Sequence, residues 1–335
     1  MAKTRQHRTN AKVSTMALSD PASQTSTTAR RPPTRTSTPG GRRFDWSRWA
    51  SPITIAVLVL VGLITWSVTW STEGDTNTAG SVQPVTILDS PDFHSLLVDP
   101  QDSEHVLFGS HEGIQESRDG GVTWEDGELR NADAMQLSAS PKAPETLYAT
   151  GHDVFQVSRD GGQTWRPVTH DLPGTDIHGF AQNPEDPQRL FAFVTGEGVF
   201  TSADGGTSWD LLPAQPPGGG MHVVLGAGGN SLYAATGTGL MVSRDAGQSW
   251  EALPSQPGGQ IISLAVRASD PQTLYAGTPS GLAKSMNGGE SWTSLGPEGV
   301  PILAIAVTPG DPNRIFLLSD EGAVYRSVDG GATWR

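Results

Sequence analysis

Short apolar runs recur from residue 84 to the end of the chain, separated by clusters of Gly, Pro, Asp and Asn. In one such group, QIISLAVRA, TLYAGT, GLAKS and SWTSL each have the length and the β-branched or aromatic content of a strand. Asp-Pro, Pro-Ser-Gly and Asn-Gly-Gly clusters between these runs indicate turns. The pattern therefore predicts units of four short strands.

An octamer near the end of each unit sets the repeat period. It reads SRDGGVTW, SRDGGQTW, SADGGTSW, SRDAGQSW, SMNGGESW and SVDGGATW, starting at residues 117, 158, 202, 243, 285 and 327. This spacing of 41 to 44 residues is typical of one supersecondary unit per repeat. Six units predict an all-β fold, a six-bladed β-propeller. A seventh blade built partly from residues 73–91 stays open, although no seventh octamer supports it.

The octamer is predicted to be a structural turn. Gly-Gly permits a tight hairpin with positive φ, the Asp can accept hydrogen bonds from its own turn, and the Trp can pack against the adjacent sheet. A hard cation needs several converging carboxylates, whereas each octamer supplies one at most. The structural positions are Asp119, Asp160, Asp204, Asp245, Asn287 and Asp329, with Trp124, Trp165, Trp209, Trp250, Trp292 and Trp334.

These octamers resemble the Asp-box, or bacterial neuraminidase repeat, S-x-D-x-G-x-T/S-W. Asn287 replaces the Asp of the fifth copy, and Ala246 interrupts Gly-Gly in the fourth. Residues 84–335 resemble glycosyl hydrolase-like, photosystem II assembly factor-like and sortilin-like propellers. The resemblance implies the fold and leaves the function open, because these propellers share blades while acting differently.

Ring closure is predicted from the two ends of the propeller sequence. The last Trp is followed by one residue, so the sixth unit lacks most of its fourth strand. The segment QPVTILD at 83–89 precedes the first unit and can supply that strand. Such pairing would remove an exposed sheet edge.

A binding mouth is predicted where the first strands begin. Alignment on the octamers gives Asp-x-His or Asp-x-Met at the start of the first three units, whereas Ile262 and Leu303 occupy the third position in the last two. Residues i and i+2 of a strand share a face, and the turn between strands two and three lies at the same end. The predicted ligand-binding residues are His94, His178, His222, Met135, His111, Glu112, His152 and Asp153.

Two kinds of chemistry are candidates at this mouth. The set of His94, His178, His222 and Met135 suits copper or zinc, with the aspartates as partners of the imidazoles. Against a metal, polar strand starts can simply line a water-filled channel, and duplication can copy Asp-x-His without a function. A glycoside hydrolase would use paired carboxylates, drawn from Asp92, Asp133 and Asp176.

A sialidase is disfavoured, although the name of the repeat suggests one. Resemblance to sialidases would imply three arginines around a carboxylate, a Tyr nucleophile paired with Glu, and an Asp acid. Here three tyrosines fall inside predicted second strands, and three arginines fall in the octamer turns at the opposite end. They are Tyr148, Tyr233 and Tyr275, and Arg118, Arg159 and Arg244.

Charge and apolar content divide the chain. Residues 1–48 carry ten Lys and Arg against Asp20 and Asp45, a net of +8, and the rest carries −21. The acidic body lacks a basic face, which excludes nucleic acid as its expected partner. The chain has no Cys, which excludes disulfides and thiolate sites.

Residues 49–72 form an uncharged, apolar run of 24 residues, which at about 1.5 Å per residue can cross an apolar core of about 30 Å. The basic flank predicts a cytoplasmic N-terminus. A cleavable signal peptide is the alternative, although its apolar part is normally shorter. The predicted organisation is a disordered basic cytoplasmic tail (1–48), a transmembrane helix (49–72), a linker (73–82) and an extracytoplasmic propeller (83–335).

Together these features predict a single-pass protein of the cell membrane whose propeller is a binding or assembly module. Its expected ligand is a protein or a glycan outside the membrane, bound at the mouth of the first four blades. The alternatives are a glycosyl hydrolase and a His/Met propeller that binds a transition metal.

Overall fold

The computed structural model describes residues 82–218 and 224–335. The predicted tail, transmembrane helix and nearly all of the linker lie outside these residues. Within the described ranges, no helix has the length and apolar character needed to cross a membrane.

The described residues form six four-stranded antiparallel sheets, numbered here as blades one to six in chain order. The first described strand is β1 (Thr86–Ile87). Blade one holds β2 (Ser95–Val98), β3 (Val106–Ser110), β4 (Gly113–Ser117) and β5 (Glu125–Arg130). Blade two holds β6 (Gln136–Ser140), β7 (Ala143–Gly151), β8 (Val154–Ser158) and β9 (Arg166–Pro167). Blade three holds β10 (Ile177–Gln182), β11 (Leu190–Val194), β12 (Gly198–Ser202) and β13 (Asp210–Leu211).

The second half of the ring repeats this order. Blade four holds β14 (Val224–Gly228), β15 (Ser231–Thr236), β16 (Gly239–Ser243) and β17 (Glu251–Ala252). Blade five holds β18 (Ser263–Val266), β19 (Leu274–Thr278), β20 (Gly281–Ser285) and β21 (Thr293–Gly296). Blade six holds β22 (Ile302–Val307), β23 (Ile315–Ser319) and β24 (Ala323–Ser327), with β1 as its outer strand. The six-bladed prediction is confirmed.

Six apolar cores lie between neighbouring blades, and one octamer tryptophan packs against each. Trp124 packs against the core shared by blades six and one, and Trp209 belongs to the core shared by blades two and three. Trp165, Trp250, Trp292 and Trp334 occupy the corresponding places in the other four cores. The predicted role of the octamer tryptophan is confirmed.

The octamer aspartate organises its own turn. Oδ1 of Asp119 accepts hydrogen bonds from the backbone N–H groups of Val122 at 3.0 Å and Thr123 at 2.9 Å, and Oδ2 accepts one from the Thr123 hydroxyl at 2.6 Å. These bonds, led by the Thr123 hydroxyl, lower the pKa of Asp119 to about 2. Asn287 accepts the equivalent N–H of Ser291 at 3.0 Å, so an amide can replace the carboxylate.

The ring is closed as predicted, by a strand from the N-terminal side. Thr86 pairs with Val324, and Ile87 with Ala323. The N–H of Val85 donates to the carbonyl of Val324 at 2.8 Å. Leu88 is buried in the core between blades six and one, next to this strand.

Leu88→Ala is expected to lower the free energy of unfolding by about 2–4 kcal/mol, because it removes apolar volume from a packed core. Ile87 is the matched control, since it lies one position away and is 67% exposed. Ile87→Ala should change the free energy by less than about 0.5 kcal/mol. Urea unfolding of both variants measures the difference, and equal losses would contradict a closing role for the buried side chain.

Candidate functional site

The structure joins seven of the predicted side chains into one group at the mouth of blades one to three. Three aspartates and two histidines stand at or just before the first strands, and two histidines follow the second strands. We call this group the His–Asp row; it comprises Asp92, His94, His111, Asp133, His152, Asp176 and His178.

In blade one, His111 is held by Asp92. Its backbone N–H donates to Asp92 Oδ1 at 2.8 Å, and its ring Nδ1 lies 3.1 Å from Asp92 Oδ2. The other ring nitrogen, Nε2, lies 3.0 Å from Nε2 of His94. The carboxylate thus orients the imidazole and directs its second nitrogen toward a neighbouring imidazole.

Blade two repeats this arrangement with His152 and Asp133. The backbone N–H of His152 donates to Asp133 Oδ2 at 3.2 Å, and its ring Nδ1 contacts the same carboxylate oxygen. Its Nε2 lies 3.0 Å from Nε2 of His178, which belongs to blade three. The second imidazole pair therefore crosses from one blade to the next.

Asp176 completes a compact set in blade three. Its Oδ1 lies 2.8 Å from His178 Nε2 and 3.4 Å from His152 Nε2. The three atoms, two imidazole nitrogens and one carboxylate oxygen, form a triangle with edges of 2.8, 3.0 and 3.4 Å.

The row combines a largely buried aspartate with exposed histidine rings. The side chain of Asp133 is 12% exposed, whereas those of His111 and His152 are 45% and 49% exposed. Burial, followed by the neighbouring His111, lowers the pKa of His94. This shift favours the neutral form of its imidazole.

The other predicted site residues lie apart from the row. Met135 is buried at 8% exposure and lines the channel. Glu112 and Asp153 are exposed, and Asp153 accepts a hydrogen bond from the Thr175 hydroxyl at 2.5 Å. His222 lies outside the described residues.

Below the mouth, the innermost strands line a cavity of about 300 Å³. Ile262 and Leu303, at the positions that correspond to His94 and His178, contribute to this lining. Polar groups are thus concentrated on one side of the mouth.

The tyrosines considered for a sialidase mechanism are core residues. Tyr148 is 1% exposed, and Tyr233 and Tyr275 are fully buried. The Tyr148 hydroxyl donates to the carbonyl of Gly205, in the octamer turn of the next blade. These positions confirm that the three tyrosines lie in second strands.

One buried histidine was not singled out by the sequence. His105 is 2% exposed, and its Nδ1 and Nε2 lie 3.0 Å from Asp99 Oδ2 and 3.1 Å from Glu116 Oε2. It precedes β3 near the octamer turn, since the Gly120 N–H donates to the carbonyl of the adjacent Glu104 at 2.9 Å. The sequence positions of its two acidic partners, Asp99 and Glu116, could have indicated this histidine. The pattern occurs in one blade only, so alignment of the blades does not reveal it.

Comparison with known proteins agrees with this architecture. The profile of the BNR/Asp-box repeat matches residues 156–167. No curated protein matches the chain by sequence.

Two GH74 proteins and YCF48 are among the solved structures that are similar to the chain. The GH74 xyloglucanase from Xanthomonas campestris is 18% identical over 75% of this chain and 54% of its own, with a TM-score of 0.51. The GH74 enzyme of Niastella koreensis is 19% identical over 76% and 46%, with a TM-score of 0.53. YCF48 from Cyanidioschyzon merolae is 19% identical over 75% and 87%, with a TM-score of 0.49.

The chain spans about half the length of the two GH74 proteins. At these identities the likeness concerns the fold alone. The repeat match, the six octamers and the six sheets identify the chain as a six-bladed β-propeller built on BNR/Asp-box repeats.

Proposed function

We propose that the protein is a membrane-anchored, extracytoplasmic binding module that recognises a protein or glycan ligand at the mouth of its first blades. The observation that carries this proposal is the His–Asp row. In a ring of six similar blades, the start of each first strand needs similar packing. Blades five and six have apolar side chains there, Ile262 and Leu303. The polar side chains of blades one to three therefore exceed what the fold requires.

Charge favours a ligand with cationic or hydrogen-bond-donating groups. Besides the three aspartates of the row, the exposed Glu112, Asp153 and Glu197 lie in the neighbouring turns between second and third strands. Residues 49–335 carry a net charge of −21. A basic protein segment, or a glycan that presents hydroxyl groups to carboxylates, matches this surface.

The contacts that the aspartates make favour ligand binding over hydrolysis. Asp92 and Asp133 each contact the backbone N–H and the ring of a histidine in their own blade. A pair that hydrolyses a glycoside must instead flank the scissile bond, with one carboxyl group facing the leaving oxygen. The GH74 likeness concerns the fold and does not supply that arrangement.

Ligand recognition can be tested on arrays. Detergent-solubilised full-length protein would be applied to printed glycans and to matched Lys/Arg-rich and Asp/Glu-rich peptides. We expect retention on at least one glycan or basic-peptide class, weakened at least about tenfold by His111→Ala combined with His152→Ala. His170→Ala is the control, because His170 packs on Phe155 and is not a member of the His–Asp row.

Two outcomes would contradict this proposal. One is retention that the double variant leaves unchanged. The other is turnover of xyloglucan or chromogenic glycosides by the wild type that is lost in Asp176→Asn, which would establish the hydrolase instead.

The anchor is a separate part of the proposal and has its own test. Full-length protein should stay in the membrane fraction after a high-salt and carbonate wash, and deletion of residues 49–72 should release it. Protease added to intact cells should digest the propeller. A propeller protected in intact cells would contradict the extracytoplasmic location.

A further inference from the structure

We propose that His152, His178 and Asp176 bind a divalent transition-metal ion, with Zn²⁺ as the best-matched species, and that Asp133 positions His152 for this role. The inference concerns the same mouth as the proposed function but does not depend on the ligand bound there. It also replaces the predicted set around Met135 with three residues whose ligand atoms already converge.

The first support is geometric. Ligand atoms at about 2.0–2.1 Å from a tetrahedral zinc ion lie roughly 3.3–3.4 Å from one another. In the triangle of His152 Nε2, His178 Nε2 and Asp176 Oδ1, the edges are 2.8, 3.0 and 3.4 Å. Shifts of about half an ångström or less would place all three atoms around one ion.

The second support is the chemistry of the ligand atoms. Two imidazole Nε2 atoms that face each other at 3.0 Å need either a proton or a cation between them. A cation satisfies both lone pairs, and Asp176 offsets its charge. Two imidazoles with one carboxylate favour zinc and neighbouring transition metals, whereas Ca²⁺ and Mg²⁺ prefer oxygen ligands throughout.

The third support is the outer contact of His152. Metal-bound histidines usually direct their second nitrogen at a carboxylate, which fixes the tautomer and the ring orientation. Asp133 meets Nδ1 of His152 in this way and also accepts its backbone N–H at 3.2 Å. Nε2 therefore keeps its lone pair on the side of His178 and Asp176.

Two buried carboxylate oxygens further indicate that the row can accept a cation. Oδ1 of Asp133 and Oδ1 of Asp176 accept no hydrogen bond of acceptable geometry within the described residues, although His178 Nε2 lies 2.8 Å from the latter. A buried carboxylate oxygen without a partner costs about 1–3 kcal/mol or more, so such atoms normally have a donor or a cation nearby. A metal ion would satisfy Asp176 directly.

The imidazole pair of blade one offers an internal comparison. His94 and His111 have the same 3.0 Å spacing between Nε2 atoms. However, both oxygens of Asp92 already contact His111, through its backbone N–H and its Nδ1. The pair in blade one thus offers two ligand nitrogens, while its carboxylate already contacts His111. We expect this pair to bind zinc more weakly than the set on blades two and three.

The experiment is zinc titration of chelator-stripped full-length protein by calorimetry, with Co²⁺ absorption as a second readout of nitrogen and oxygen ligation. We expect one tightest site per chain. His152→Ala and His178→Ala should each weaken it at least about 100-fold, and Asp133→Asn about 10- to 100-fold. His170→Ala should leave it within about threefold, as expected for a residue outside the His–Asp row.

Thermal unfolding of each variant, measured beside His170→Ala, separates loss of zinc binding from loss of folding. His152→Ala is the decisive variant, because the His152 side chain is 49% exposed whereas those of His178 and Asp133 are 14% and 12% exposed. Absence of zinc binding in the wild type, or a tightest site unchanged by both His152→Ala and His178→Ala, would overturn the proposal. The array experiment reports ligand binding separately, so either result can fail without the other.

Discussion

Gly277→Ala is expected to lower the free energy of unfolding by about 3 kcal/mol or more, one of the largest effects of any single methyl group in this fold. A Cβ at this position would lie 2.1 Å from Ser263 Oγ and 2.4 Å from the carbonyl oxygen of Ile302. That carbonyl belongs to the next blade, and Ser263 donates to it at 2.9 Å. The methyl group would therefore break a buried hydrogen bond and push two blades apart.

Gly310→Ala is the matched control for this substitution. A Cβ added there meets no atom within 4 Å. We expect a change of less than about 0.5 kcal/mol. Urea unfolding of the two variants measures the difference, and similar values would show that blade spacing tolerates the added methyl group.

The same close approach occurs in blade one, where a Cβ on Gly109 would lie 2.2 Å from the carbonyl oxygen of Ala134. Ala134 follows Asp133 directly, so this contact sets the distance between blades one and two beside the His–Asp row. Gly109→Ala should therefore reduce zinc affinity as well as stability, whereas Gly277→Ala should affect stability alone.

His105 is expected to make the stability of the propeller fall as the pH rises from neutral to alkaline values. Burial by itself lowers the pKa of His105, but hydrogen bonds to Asp99 and Glu116 outweigh it and raise the pKa to about 9 from 6.5. A raised folded-state pKa gives stability that is complete below pH 6.5 and is lost as the pH passes through 9. At about 1.4 kcal/mol per pKa unit, the loss is about 3 kcal/mol.

His105→Leu should remove this pH dependence and lower the stability at pH 6 by about 3–5 kcal/mol, because the buried Asp99 loses its cationic partner and Glu116 keeps only the exposed Arg118. His170→Ala should keep the wild-type slope. Urea unfolding between pH 6 and pH 10 measures both quantities. A wild-type slope that persists in His105→Leu would assign the pH dependence to other groups.

The parts of the fold that sequence could predict are those that repeat. Each octamer must supply a turn with positive φ and a tryptophan for one core, so its six copies define the blade boundaries. The Asp-x-His starts were visible for the same reason, because alignment on the octamers places Asp92 and Asp176 at equivalent positions. The closing strand could be predicted because the sixth unit lacks most of its fourth strand in the sequence.

The contacts within the site depend on side-chain geometry that the sequence does not contain. The position of Asp92 determines which ring nitrogen of His111 it contacts, Nδ1 rather than Nε2. The contact between His152 and His178 depends on the angle between two blades. Met135 fits the predicted pattern but lies buried against the channel, since an apolar side chain gains more there than at a wet mouth. His105 occurs in one blade, so no repeat reveals its network.

The closing strand also dictates when the ring can form during synthesis. Thr86 leaves the ribosome at the beginning of the propeller, yet its partner Val324 belongs to the last strand of the propeller. At roughly 5–20 residues per second, the first strand waits on the order of tens of seconds for the strand it must pair with. Its shortness limits unwanted pairing in that interval, because two residues offer a poor template for another sheet edge.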